Sequence, residues 1–323
     1  MLIYIENVPG RDPAYRISAD AVRAALGEAA RHCELVECMS DAPDLAALAR
    51  ARYFVGSRLD TARIREHGRG LRMVHCTSAG VEAYLPLDWL PPQAVFTNSS
   101  GVHADKAGEF GLLALLMLND RIPLHATSQR AHRWHRVLST PVRGKTVLIY
   151  GTGALGGAVA ERAALMGMQV WGVRRSGKPH PSLHRVFTPD QFEQALPQAD
   201  FLLAACPLTA ATRGAIGARQ LALLPAHAGV VNMARAAVMD YGALADLLEQ
   251  GRLGGAVLDV FDPEPLPADA RWWDVPRLMV IPHVSSDNPV DYIERCLAIF
   301  ARNVAADQAG RPLENVVDAS LGY

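Results

Sequence analysis

The chain has 323 residues, half of them hydrophobic and a fifth charged, with 32 Lys plus Arg against 33 Asp plus Glu and a formal net charge of −1. That balance excludes the global basic excess behind bulk nucleic-acid binding, and the hydrophobic content is too high for long disorder. At about 150 residues per domain the length suggests two domains. Cys33, Cys38, Cys76, Cys206 and Cys296 are odd in number and scattered, with no C-x-x-C. Neither a disulfide framework nor a zinc ribbon is expected, and the cysteines read as reduced thiols of a cytoplasmic protein. The opening MLIYIENVPGRD lacks a basic n-region and a long apolar stretch, so it does not read as a signal peptide. The longest apolar run, Phe110 to Leu118, is too short for a bilayer, and no membrane contact is expected.

In chain order, short apolar β-prone runs at Leu2–Ile5, Tyr53–Val55, Met73–His75 and Val95–Thr97 follow or flank a helical pattern at Ser18–Ala30. A long helical pattern then covers about 102–119, and polar, His/Arg-rich sequence runs on to Gly144. A second series of strands is expected at Val147–Tyr150, Gln169–Val173, Phe201–Ala204, Val230–Asn232, Gly255–Val260 and Met279–Ile281. Helical spacing lies between them at Ala154–Met166, Arg219–Leu224 and Gly242–Gln250. Continuous apolar strands alternating with helices predict parallel sheets covered on both faces. A last amphipathic helix, about 289–309, needs a surface to pack on, and the first domain offers one.

Gly151-Thr152-Gly153-Ala154-Leu155-Gly156 follows the strand Val147–Tyr150 at once and opens a helical stretch. This is G-x-G-x-x-G in the context the motif requires. The first glycine permits the turn, the second lets backbone approach a pyrophosphate, and the third lets helix pack on strand. The next strand ends in Arg174-Arg175-Ser176, where NAD-binding proteins carry a carboxylate for the ribose hydroxyls. Two guanidinium groups and a hydroxyl suit a 2′-phosphate instead, so NADP(H) is favoured and NAD(H) remains possible.

Three more segments place an ionisable residue just past an apolar strand: Val230 to Asp240 with Arg235, Leu258 to Pro267 with Asp259 and Glu264, and Ile281 to Ser286 with His283. Together with Thr77-Ser78-Ala79-Gly80-Val81, Asn98 to Gly101, Glu109-Phe110, Cys206-Pro207-Leu208-Thr209 with Thr212, and Gly310 to Val317, they carry a resemblance. Over nearly its whole length the chain resembles the D-isomer-specific 2-hydroxyacid dehydrogenase family.

The resemblance implies an α/β fold of two doubly wound parallel-sheet domains. A Rossmann NAD(P)-binding domain, 101–287, would be inserted into a discontinuous flavodoxin-like substrate domain, 1–100 plus 288–323. It implies NADPH-preferring reduction of a small 2-oxoacid, such as glyoxylate or hydroxypyruvate, to the D-2-hydroxy acid. His283 would be the general acid, Glu264 its partner, and Arg235 the group that holds the substrate carboxylate and polarises the carbonyl. Ser78, Ala79 and Gly80 would bind the carboxylate. Around the cofactor it places Gly151, Gly153, Ala154, Leu155, Gly156, Arg174, Arg175, Ser176, Cys206, Pro207, Thr212, Met233, Ala234, Asp259 and Ser285. Asp259 would accept from the nicotinamide carboxamide, and the family implies a homodimer. The alternatives are oxidation of a D-2-hydroxy acid with NAD, or a non-catalytic NAD(P)H-sensing protein of the corepressor type. Two departures from the family pattern, Ala236 after Arg235 and Val284-Ser285-Ser286 after His283, bear on substrate choice.

His132 with His135 and His180 with His184 have spacings a metal could use, but no carboxylate or thiol completes a set, and no metal is expected. Trp134 borders a substrate pocket of a neighbouring subunit or is a partly buried packing residue. Cys206 reads as a small packing residue and Trp272-Trp273 as a core anchor.

Overall fold

Every residue of Leu2–Asn7 (β1) is buried. A strand is apolar on both sides only where both faces of its sheet are covered. In the computed structural model, which describes all 323 residues, β1 lies inside a five-stranded parallel sheet. Its order is β2-β1-β3-β4-β5, with β2 at Glu34–Met39, β3 at Tyr53–Gly56, β4 at Met73–Cys76 and β5 at Val95–Asn98. Side chains alternate between the faces. Leu2 and Tyr4 join Phe54, Val74 and Phe96 in one layer, while Ile3 and Ile5 join Tyr53, Val55 and Met73 in the other. The second layer is closed by the helix Tyr292–Gln308, whose Ile293, Leu297, Phe300 and Val304 form one apolar stripe. This unit therefore comprises Met1–Val102 and Asn288–Tyr323.

Charge pins the end of that helix. Asp307 accepts from Tyr53 Oη at 2.7 Å, from Arg72 Nη2 at 2.7 Å and from Arg52 Nη2 at 3.2 Å. The Arg72 guanidinium, with Tyr53 and Arg52 beside it, holds the Asp307 carboxyl down at about 2.

The apolar-run reading misses three elements of this unit. β2 carries Glu34 and Glu37, which an edge strand tolerates; Glu37 accepts from Arg16 and from the Ala19 N–H. The helices Leu45–Arg50 and Thr61–His67 are too short to show periodicity, and their signal is the cap: Asp44 accepts from the Ala47 N–H and Asp60 from the Arg63 N–H. The first helix is shorter than expected, Ala19–Leu26, because Gly27 at φ 57° turns the chain into a 3₁₀ segment.

The second unit, His103–Asp287, holds a seven-stranded parallel sheet in order β12-β11-β10-β9-β6-β7-β8. The strands are β6 Thr146–Tyr150, β7 Gln169–Val173, β8 Arg185–Phe187, β9 Phe201–Ala204, β10 Gly229–Asn232, β11 Gly255–Leu258 and β12 Leu278–Val280. One apolar layer runs through Leu148, Leu202, Val230, Ala256 and Leu278, the other through Ile149, Leu203, Val231 and Val257. The helix Ala104–Asn119 packs on the helix Ala154–Leu165 with Gly111 against Val159, where a Cβ has no room. The two parallel α/β sheets are the fold class expected from the sequence.

Several local expectations need correction. β11 stops at Leu258, not Val260, because Asp259 already turns its side chain to the next loop. The polar stretch before Gly144 contains the helix Ile122–Arg130. β8 is an added edge strand, with Arg185 lying 4.8 Å over the Trp171 ring. Of the tryptophan pair, Trp272 packs on the core but Trp273 is exposed, donating its N–H to Pro267 O. No helix is long and apolar enough to cross a membrane.

Because the Asp307 carboxyl titrates lower when folded than when unfolded, its contribution is present above the ordinary carboxylate range and is lost as pH falls towards 2. Asp307→Asn is expected to cost about 1–2 kcal/mol at pH 7, discounted for the half-exposed arginines. Urea unfolding of both proteins checks this: the difference should shrink steadily below the carboxylate range, and a pH-independent difference counts against the assignment.

Candidate functional site

β6 and β9 are neighbours, yet β7 continues outward on one side and β10 on the other, so the strand order reverses between them. Open parallel sheets take ligands beyond the carboxyl ends of their strands at such a point. The loop after β6 is Gly151-Thr152-Gly153 and the loop after β9 begins Ala205-Cys206. Gly151 has φ 95° and donates its N–H to Val173 O at 3.0 Å, while Ala205 donates to Tyr150 O at 2.9 Å. A Cβ on Gly151 would stand 2.6 Å from the Cys206 backbone nitrogen. A Cβ on Gly156 would collide with Gly151 O and come within 3.1 Å of Ile149 Cγ2. A Cβ on Gly153, in contrast, would meet nothing within 4 Å. Two glycines thus serve close packing of protein on protein, and the one between them presents bare backbone outward.

Gly153 is also the N-cap of the helix Ala154–Leu165 and has no side chain to cap it. The N–H groups of the first turn, at Ala154, Leu155 and Gly156, are therefore left for an anion at the positive end of the helix. The Thr152 hydroxyl is buried nearby without a protein partner. After β7, Arg174 donates through Nη1 to Lys178 O and Pro179 O at 3.3 Å each, and Ser176 Oγ accepts from the Lys178 N–H. No carboxylate lies between Arg174 and Pro179. These residues fit a dinucleotide whose far end carries added negative charge.

Cys206 is buried, and burial pushes its thiol up to about 12, so it packs and does not attack. Thr212 closes the following loop, its hydroxyl donating to Pro207 O at 2.7 Å and accepting from the Thr209 N–H at 2.8 Å. Met233 donates its N–H to Ala204 O, which sets Met233 and Ala234 beside the same groove.

The four ionisable residues of these segments, Arg235, Asp259, Glu264 and His283, stand past the ends of three adjacent strands, β10, β11 and β12. His283 has φ 54° and places Nδ1 2.7 Å from Glu264 Oε2. The other Glu264 oxygen accepts from the Phe261 N–H at 2.7 Å. His283 Nε2 has no protein partner. Asp259 is buried; its Oδ1 accepts from the N–H groups of Val284 at 2.9 Å and Ser285 at 3.0 Å. Burial pushes the Asp259 carboxyl up, and those bonds oppose the rise. Arg235 is half-buried and donates through Nη1 to Ala234 O at 2.8 Å. Ser78, Ala79 and Gly80 belong to the other unit, in the half-buried loop after β4.

Two residues that the motifs do not reveal brace this group. Asn232, fully buried at the end of β10, donates to Arg235 O at 3.1 Å and Tyr241 Oη at 3.0 Å and accepts from the Ala234 N–H. Tyr241 donates in turn to Val260 O at 2.7 Å, next to the residue whose N–H holds Glu264. The available signal was a polar residue closing the apolar run Gly229-Val230-Val231-Asn232. Trp134 is 99% exposed, so within its own chain it is not a packing residue. No group of three or more His, Cys, Asp or Glu side chains gathers as a metal site, and His184 Nδ1 accepts from the Val170 N–H.

Comparison with known proteins gives a consistent picture. The family model described as "D-isomer specific 2-hydroxyacid dehydrogenase, NAD binding domain" matches residues 112–285. A glyoxylate/hydroxypyruvate reductase B from Pectobacterium atrosepticum is 30% identical over 318 residues, covering 95% of this chain and 97% of that protein. A D-isomer specific 2-hydroxyacid dehydrogenase from Xanthobacter autotrophicus, solved with NADPH and MES, superposes with a TM-score of 0.85 at 27% identity, covering 99% of each chain. An NADPH-dependent glyoxylate/hydroxypyruvate reductase from Sinorhizobium meliloti, solved with NADP and sulfate, gives 0.80 at 26% identity over 100% of both chains.

The crossing at Gly151 yields a test that needs no ligand. Gly151→Ala is expected to cost about 2–3 kcal/mol, through strain at positive φ and the clash with Cys206. Denaturant unfolding measures it, and an unchanged midpoint means the two loops have room to part.

Proposed function

The chain belongs to the D-isomer-specific 2-hydroxyacid dehydrogenase family, an NAD(P)-dependent group of oxidoreductases, and from that premise we propose that it reduces a small 2-oxoacid with NADPH in preference to NADH. The observation that carries the reading is the 2.7 Å contact of His283 Nδ1 with Glu264, which leaves Nε2 unpartnered past the end of β12. Glu264 accepts from Nδ1–H and so selects the ring form whose transferable proton sits on Nε2. In reduction Nε2 gives that proton to the substrate carbonyl oxygen; in the reverse direction it takes it back. Arg235 presents a planar fork of donors to the carboxylate and the developing oxyanion. In the first unit the Ala79 and Gly80 N–H groups bind the carboxylate, with Ser78 beside them.

The residues that would hold the dinucleotide are Gly151, Gly153, Ala154, Leu155 and Gly156 at the phosphates. Cys206, Pro207, Thr212, Met233 and Ala234 would line the groove, and Asp259 with Ser285 would meet the nicotinamide end. When bound there, the reduced nicotinamide supplies the hydride for the carbonyl carbon. Arg174 retains Nε and Nη2 beyond the two carbonyls it already meets, and with Arg175 and Ser176 these donors receive a 2′-phosphate. The unit 103–287 is thus the nucleotide-binding domain, and 1–102 with 288–323 the substrate domain. The exposed Trp134 and Leu138 mark the segment through which two copies pair as a homodimer. The five unpaired thiols fit a reducing cytoplasm.

A panel of 2-oxoacids run with NADPH and with NADH, following loss of reduced cofactor, tests the reading; no turnover with any acid ends it. His283→Ala is expected to lower kcat by about 10²–10⁴-fold with cofactor affinity retained, and a near-parental rate removes the proton-donor role. Arg174→Ala is expected to raise the KM for NADPH by about tenfold and to leave NADH nearly unchanged. Equal losses for both cofactors would remove the 2′-phosphate argument.

A further inference from the structure

Four successive carbonyls, from the last residue of β4 into the loop that follows it, are all tied down inside the first unit. Cys76 O accepts from Ser99 Oγ at 3.3 Å, Thr77 O from Tyr292 Oη at 2.6 Å and Cys296 Sγ at 3.4 Å, Ser78 O from the Ser99 N–H at 3.3 Å and Ala79 O from Asn98 Nδ2 at 2.9 Å. The N–H groups of Ala79 and Gly80 have no acceptor in the protein. These facts are linked by peptide geometry. In a planar trans peptide the carbonyl and the following N–H point in opposite directions. Tethering Ser78 O therefore aims the Ala79 N–H away from Ser99, and tethering Ala79 O aims the Gly80 N–H away from Asn98.

The tethers are themselves fixed. Asn98 Oδ1 accepts from the Ser100 N–H at 3.1 Å, which leaves Nδ2 as the donor to Ala79, and the Asn98 N–H is held by Asn315 O. Ser99 Oγ, which donates to Cys76 O, also lies 3.1 Å from His75 Nε2. His75 Nδ1 lies 2.8 Å from Thr97 Oγ1. His75 is fully buried, and burial pushes its pKa down to about 3 against a bond to the Cys296 backbone, so the ring stays neutral across the working pH range. Tyr292 lies on the helix that returns to this unit, far away in sequence.

We propose that Asn98 and Ser99 are positioning residues that aim the Ala79 and Gly80 amides at the substrate carboxylate, on a loop whose root Tyr292 and Cys296 anchor, so that recognition of that carboxylate is set from the carbonyl side of the loop. This rests on the 2-oxoacid reading above and adds to it two residues that act through the loop backbone.

The test compares the parent protein with Asn98→Asp, which puts an acceptor opposite Ala79 O, and Asn98→Ala, which removes the donor to Ala79 O without adding charge. Asn98→Ala decides the point should Asn98→Asp fail to fold. In each variant the KM for a 2-oxoacid is expected to rise by about tenfold, while kcat and NADPH affinity stay within about twofold. For the matching 2-oxoamide, which has no carboxylate, variant and parent should behave alike. A readout independent of turnover is titration of the isotopically labelled full chain with sodium oxamate, a small 2-oxoacid mimic. The Ala79 and Gly80 amide resonances should shift in the parent and shift less in both variants. Unchanged KM values, or equal losses in KM, kcat and NADPH affinity, overturn the proposal, as does an oxamate titration that leaves both resonances of the parent unmoved. A parent that turns over no 2-oxoacid but shows the two shifts and their loss in the variants ends the enzymatic reading and leaves the aimed amides standing.

Discussion

The crossing of two backbones at the point where the large sheet reverses its strand order is the constraint on which the nucleotide half depends. Gly151 and Cys206 approach so closely that only hydrogen fits between them. That closeness brings the ends of β6 and β9 together, and it leaves the next glycine, Gly153, as bare backbone at the start of a helix. A helix start with uncapped N–H groups and no side chain in the way is an anion site for electrostatic and steric reasons at once. The remaining features of the half are disposed about it: guanidinium groups at the end of β7 on one side, and the carboxylates, imidazole and Arg235 past the ends of β10 to β12 on the other.

A second principle recurs in both units: a functional group is aimed by bonding its opposite side. Glu264 spends one oxygen on the Phe261 N–H and the other on His283, so the imidazole has a fixed ring orientation and one unpartnered nitrogen. Asn232 and Tyr241 tie the loops behind Arg235 and Glu264 into one buried network, which costs little because every donor meets an acceptor. The loop after β4 is built likewise, with carbonyls tethered and amides left over. Behind Arg235 and behind the loop after β4 the residues that make these bonds are buried amides, hydroxyls and phenols, and behind His283 a carboxylate.

What could be read in advance depended on how locally the signal was written. The buried strands announce themselves because a strand covered on both faces is apolar at nearly every position, as in Val147–Tyr150 and Phe201–Ala204. β2 and β8 escaped for the opposite reason: as edge strands they carry Glu34, Glu37 and Arg185, and nothing nearby in sequence says what they pair with. The glycine loop was legible down to individual positions, because strand, turn and helix are contiguous. Trp273 was misread because an aromatic pair suggests burial of both rings, and only one side of the 3₁₀ turn at Arg271–Trp273 meets the core.

The sequence by itself determined the alternation of strands and helices, the turn chemistry of Gly151 to Gly156, and the residue types that stand past β7, β10, β11 and β12. These follow from local sterics, periodicity and charge, each set within a few neighbouring residues. Only the tertiary structure decided that Glu264 meets His283 through one particular ring nitrogen, that Asn232 reaches Tyr241, and that Tyr292 and Asn98 hold the carbonyls of a loop distant in sequence. Hydrogen bonds between distant segments require their ends to be brought within about 3 Å, and packing of the whole sheet, not any short stretch of chain, sets that distance.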